Sequence, residues 1–170
     1  MSTIIMPWFA KIICIFAVLL AGCSVAQPSD YNAGNTTGIN HTEYEISDFK
    51  INGAGGSVGG YTCCVMIPKK WTPELKAYIS WDTVDAKKVS SPPGFADRAK
   101  FNAWKNELKA NTQSHEAVVP IAQYDKSCGL QVHFLPCNKV NVVSSCFTYG
   151  MPEYPIQAPK NMKEPALCPQ

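Results

Sequence analysis

The sequence predicts a mainly β protein: a disulfide-braced, antiparallel, sandwich-like domain with one helix inserted between strands. Three observations predict it. Short runs with period-two alternation recur between turn residues, most cleanly in Lys76–Asp82, where Ala77, Ile79 and Trp81 alternate with Lys76, Ser80 and Asp82. Six of the eight cysteines fall between Cys63 and Cys168, an even set that suits disulfide pairing in an oxidising compartment. Helical spacing is clear in one place, where Asp97 can cap a helix with a Phe101, Trp104, Leu108 stripe.

The N-terminus is read separately from the fold. Lys11 precedes an apolar run, Ile12–Leu20, which ends in Leu20-Ala21-Gly22-Cys23. A basic flank, a short apolar stretch and small residues describe a secretory signal peptide over residues 1–22. The run is far shorter than the roughly 20 residues that span a bilayer. Ala21-Gly22 before Cys23 resembles a bacterial lipobox, which makes Cys23 the acylated first residue of the mature chain and anchors the protein to a membrane. Met6 is an alternative start that leaves this box intact. Ser24 stands where Asp would signal inner-membrane retention, so the resemblance to sorted lipoproteins implies the periplasmic face of the outer membrane. Residues 23–41 read as acylated N-terminus plus polar tether, and residues 42–170 as a single domain of ordinary size.

Charge excludes one class of partner. Without Lys11 the chain carries 14 basic against 13 acidic residues, so no field exists to hold nucleic acid. No cofactor motif is present, and no small-molecule cofactor is expected.

The elements follow in order. Glu43 to Ile51 is a strand whose buried parity switches between Ile46 and Phe49, which calls for a bulge at Ser47-Asp48. Tyr61 to Ile67 is apolar on both faces and reads as a central strand. Lys76–Asp82 is the alternating strand described above, and Trp81 and Trp104 read as core. Ser90–Gly94 (SSPPG) breaks the chain before the helix. Glu116 to Tyr124 contains Pro120 and belongs at an edge or bend. Residues after about Pro152 are proline-rich and wrap the surface.

Cys128 to Cys146 reads as a hairpin. A three-residue turn, Pro136-Cys137-Asn138, sets Phe134 opposite Val140, Val132 opposite Val142 and Cys128 opposite Cys146, within disulfide reach. The same register puts His133 opposite Asn141 on the other face, as a solvated strand residue. Cys63 and Cys64, adjacent in a strand, point to opposite faces, so each should reach a distant partner, with Cys137 and Cys168 remaining.

The glycine-rich stretch Asn52–Gly60 invites three readings. A phosphate cradle fails because no third glycine, no Gly-Lys-Ser/Thr and no helix follow. Gly55-Gly56-Ser57-Val58-Gly59 fits a serine-hydrolase elbow, with Asp82, Asp85 or Asp97 and then His115 or His133 in the right order, but a strand follows where the elbow needs a helix. A flexible loop feeding a disulfide-bearing strand fits best. Cysteine spacings are too wide for zinc, so no metal and no catalytic residues are assigned.

The blocks NGAGG, GG, CC, P..W.P and W between Asn52 and Trp81, with QVHFLPC..V.VV further on, resemble an uncharacterised family of Gram-negative lipoproteins. Pro73-Glu74-Leu75 departs from the Pro-Gly-Leu of that pattern. Members are often encoded beside type VI secretion phospholipase effectors. The resemblance therefore implies an immunity protein that binds and neutralises such an effector, with a structural or accessory envelope lipoprotein as the alternative. Trp71, in the loop Lys69–Glu74, is the candidate binding anchor.

Overall fold

The computed structural model describes residues 30–169. The signal peptide, Cys23 and the tether up to residue 29 lie outside the described residues. Eight strands and one α-helix follow in order: β1 Tyr31–Asn40, β2 Glu45–Ile51, β3 Ala54–Gly56, β4 Thr62–Pro68, β5 Lys76–Val84, α1 Arg98–Ala110, β6 Thr112–Pro120, β7 Gly129–Leu135 and β8 Lys139–Val143. They form two four-stranded sheets, ordered β4-β1-β7-β8 and β3-β2-β5-β6. All pairings are antiparallel except β1 with β7, which is parallel.

The core lies between the sheets. Val65, Ile67, Leu130, Val132, Phe134, Val140 and Val142 of the first sheet meet Phe49, Ile51, Ala77, Ile79 and Trp81 of the second. Phe134 joins the two, with ring centroids 5.3 Å from Phe49 and 5.8 Å from Trp81. Each large side chain buried here contributes about 1.5–3 kcal/mol of transfer free energy. The alternation in β5 is as expected: Ala77, Ile79 and Trp81 are buried, and Lys76 and Tyr78 are exposed. The expected bulge in β2 is present as a register shift between Ile46 and Asp48. Pro120 ends β6, an edge strand.

Four expectations are corrected. The stretch read as tether contains β1, a central strand: its inward positions are Gly34, Thr36 and Gly38, so it shows no apolar periodicity. Those positions must be small. A Cβ on Gly34 would stand 2.8 Å from Ile67 Cδ1, and one on Gly38 2.9 Å from Phe49 Cε1. Regular structure thus starts at Tyr31, before the boundary expected at residue 42. Second, β4 is an edge strand, not a central one; Cys63, Cys64 and Met66 are exposed, while Val65 and Ile67 face the core. Third, Trp104 is not core. Helix α1 buries no residue fully; Trp104 donates its indole N–H to Ser90 O at 3.0 Å and packs on Phe101, which meets Phe95. The helix does start as expected, with Asp97 Oδ1 accepting from Lys100 N at 3.0 Å.

The cysteines supply the fourth correction. Cys128 pairs with Cys146 as the hairpin register requires, and Val132↔Val142, His133↔Asn141 and Phe134↔Val140 are the observed partners. Cys137 and Asn138 of the turn take the left-handed conformation. Cys63 and Cys64, however, pair with each other, which leaves Cys137 to pair with Cys168. The pairing of β4 with β1 is irregular there: Gly34 faces Val65 and Asn35 faces Cys63, so Cys64 has no partner in the register.

The glycine stretch is more ordered than a flexible loop. Asn52 and Gly53 have φ of 50° and 83°, the pair of positive values that a tight two-residue hairpin turn needs. Ala54–Gly56 then returns along β2. Gly56 admits no side chain, because its Cβ would fall inside the Phe49 ring. Beyond it, Ser57 O and Gly59 N hydrogen-bond to Gly38 N and Gly38 O, at 2.8 and 3.0 Å. The stretch carries the chain from one sheet to the other.

Candidate functional site

The outer face of the first sheet is where the chain builds something beyond a core. Thr37 and Ile39 of β1, His41 just after it, and Gln131 and His133 of β7 point away from the second sheet. The C-terminal segment covers them, so all five are buried. Hydrogen bonds fix that cover: Met162 N donates to His41 O at 2.6 Å, and Gln131 and Ser145 bond reciprocally through Nε2 to O at 3.1 Å and N to Oε1 at 3.0 Å.

Inside it runs a chain of buried rings. His41 Nδ1 lies 2.9 Å from Pro159 O, His41 Nε2 lies 2.7 Å from His133 Nδ1, and His133 Nε2 lies 2.7 Å from Tyr154 Oη. The carbonyl can only accept, so His41 Nδ1 must carry a proton and donate. With both rings neutral the rest follows: His133 Nδ1–H donates to His41 Nε2, and Tyr154 O–H donates to His133 Nε2. Every polar atom of the chain is satisfied. Burial, and then repulsion from His41, push the His133 pKa down to about 4. Burial, and then the neighbouring Tyr61 and Tyr149, push Tyr154 up. His133 is therefore not the solvated residue the hairpin register suggested. The wrapping segment, distant in sequence, covers its face.

Beside this chain a cleft of about 350 Å³ opens between the glycine stretch and the C-terminal cover. Thr37 and Ile39 form its floor, Val58 and Tyr61 one wall, and Phe147 and Tyr149 the other. Tyr61 is 66% exposed and Phe147 46%, a large apolar area to leave in water. Lys160 is the one charged side chain among the described lining residues; its Nζ sits 5.6 Å from the centre of the Tyr149 ring. Tyr149 also packs edge-on against His41, with centroids 5.5 Å apart, so the wall rests on the buried chain. Asn40, at the rim, is held by Tyr44 O at 2.7 Å and Thr42 N at 2.9 Å. The cleft is thus rigid, aromatic and singly cationic, of a size that suits recognition.

The residues singled out from the sequence are placed as follows. Trp71 is not an exposed anchor: its indole N–H donates to Ile121 O at 2.8 Å and the ring packs on the core. Among the described residues no histidine hydrogen-bonds to Ser57. The ring nitrogens of His133 are engaged elsewhere, and His115 Nε2 meets Thr83 Oγ1 at 2.9 Å while its ring stacks on Trp81. Burial lowers the His115 pKa, with nearby Asp82 opposing. Asp85 and Asp97 cap the turn at Ala86–Lys88 and helix α1. Cys137 and Cys168 lie with Glu164 in a group compact enough for a metal, but the two sulfurs are bonded and Glu164 Oε2 accepts from Cys137 N at 2.7 Å. Sequence reasoning missed the cleft residues Tyr61, Phe147, Tyr149 and Lys160. The available signal was the aromatic residues Tyr61, at the start of an expected strand, and Phe147 and Tyr149, in a stretch assigned to no element.

No curated protein and no solved structure matches the chain. Residues 39–142 match the family described as "Protein of unknown function (DUF3304)", a span from the end of β1 to the last strand that covers more than half of the sequence, and the chain belongs to that family.

Proposed function

We propose that this is a lipid-anchored, periplasm-facing binding protein of the outer membrane that neutralises a type VI secretion phospholipase effector, and that the aromatic cleft is its contact surface. The observation that carries the binding part is the cleft itself. It exposes Tyr61 and Phe147 beside one cation, on walls fixed by hydrogen bonds and by the Cys128–Cys146 bridge. Aromatic anchors with a single well-placed charge are the usual energetic centre of a protein interface. Pre-ordered walls lower the entropy lost on association. The effector part is supported by the family resemblance in the sequence.

An inhibitor that must act on a scarce toxin needs a nanomolar dissociation constant, about −12 kcal/mol. Removing Tyr61 or Phe147 as one such anchor should raise that constant by at least tenfold. The test is to co-express the protein with type VI secretion phospholipase effectors exported to the periplasm, beginning with any encoded next to its gene, and to score survival and co-purification. Wild type should rescue, and the Tyr61→Ser, Phe147→Ser double variant, exported at equal level, should not. Equal rescue by both would remove the cleft from the interface, and failure of rescue and co-purification by wild type would remove the effector as partner.

A further inference from the structure

The acylated N-terminus and the position of β1 together orient the domain. Asp30, the first described residue, accepts a hydrogen bond through its carbonyl from Lys69 N at 2.7 Å. The chain therefore leaves for its anchor beside Lys69-Lys70, where β4 ends. From Cys23 to Asp30 the chain takes only seven residue steps. Fully extended they reach about 25 Å, and as a flexible coil about 15 Å. β1 alone is about 33 Å long at its ten residues. The tether is shorter than the domain is long, so the end of the domain at Tyr31 stays nearest the bilayer.

The chemistry of that end fits the lipid surface. Tyr31 is 50% exposed and Met66 56% exposed. The register Tyr31↔Pro68 and Ala33↔Met66 sets them on one face at the same end of the sheet. Lys69 and Lys70 follow directly, and Lys126 precedes Ser127, whose hydroxyl accepts from Asn32 Nδ2 at 2.8 Å. Two acidic residues accompany them: Asp30, whose carbonyl bonds Lys69 N, and Asp125, next to Lys126 in the chain. Aromatic and flexible apolar side chains flanked by lysines are what the headgroup layer of an anionic bilayer accommodates.

We infer that the face formed by Tyr31, Met66, Lys69 and Lys70 lies in the headgroup layer of the membrane that holds Cys23. The cleft sits at the opposite end of β1, at Thr37–Asn40, six or more residues further on, and so about 20 Å higher. The orientation presents it to the periplasm. This inference rests on the anchored reading of Cys23.

The test uses the acylated full-length protein on vesicles of phosphatidylethanolamine and phosphatidylglycerol, and the Cys23→Ser protein free in solution. A membrane-impermeant amine-acetylating reagent is applied to both, and modification is read lysine by lysine by mass spectrometry. Lys69 and Lys70 should react at least fivefold more slowly on vesicles, with Lys87 and Lys160 unchanged. A Tyr31→Ser, Met66→Ser double variant, acylated in the same way, should lose most of that protection. Flotation with vesicles reports the anchor separately. Flotation with equal labelling of all four lysines overturns the orientation alone, whereas absence of flotation overturns the anchor and the orientation together.

Discussion

Acidification should unfold the C-terminal cover through His133. With its pKa near 4 in the folded protein and about 6.5 in the unfolded chain, this ring binds a proton more readily when unfolded. Its contribution to stability is complete above pH 6.5 and is lost as pH falls toward 4. The gap of about 2.5 units corresponds to ~3 kcal/mol at 1.36 kcal/mol per unit, of which most is lost by pH 4.5. That is a large part of the 5–15 kcal/mol that holds a domain together. The assay is guanidinium unfolding of the mature protein, followed by tryptophan fluorescence at pH 7 and pH 4.5, against a His133→Gln variant. His115, also lowered by burial, adds a smaller slope of the same sign to both proteins. Wild type should therefore lose about 2–3 kcal/mol more than the variant across this interval. Parallel losses in the two proteins would refute the buried neutral chain.

Three further outcomes are expected. Gly38→Ala forces a methyl group to within 3.1 Å of Phe49, Val58 and Phe134 and should destabilise by about 1–3 kcal/mol, measured as a lowered denaturant midpoint at unchanged slope. Replacing both Cys128 and Cys146 by Ala opens a bridge of sequence separation 18 and should remove about 3 kcal/mol, whereas reduction of the Cys63–Cys64 pair, which closes no such loop, should leave the midpoint nearly unchanged. Trp71→Phe removes the hydrogen bond to Ile121 O and should lower stability by about 1–3 kcal/mol without altering effector binding; a weakened complex in a stable variant would restore Trp71 as an anchor.

Much of the sandwich was legible because its signals are local. The alternation of β5, the bulge of β2 and the Cys128–Cys146 register each depend on residues within about 20 positions. What was not legible depends on partners far away. β1 looked like tether because Phe49, Ile67 and Phe134 fill the space its own side chains would occupy. His133 looked solvated because the cover over it is Tyr154 and Pro159. The Cys63–Cys64 pair was excluded by the geometry of a regular strand, and the register of β4 against β1 shifts at Cys64. The Asn52-Gly53 turn was available in the sequence as a hairpin signal, but the glycines after it drew the reading toward a loop. The cleft had least signal of all, since its walls come from three separate segments.

The central claim, that an anchored protein neutralises a periplasmic phospholipase, is tested most directly by survival. Cells exporting the proposed phospholipase partner to the periplasm should die alone and grow when the acylated protein is present. Lys160→Glu, which reverses the one charge of the cleft, should cut that protection by at least tenfold at equal protein level. Death of cells in which the wild-type protein is exported, acylated and abundant would contradict the account.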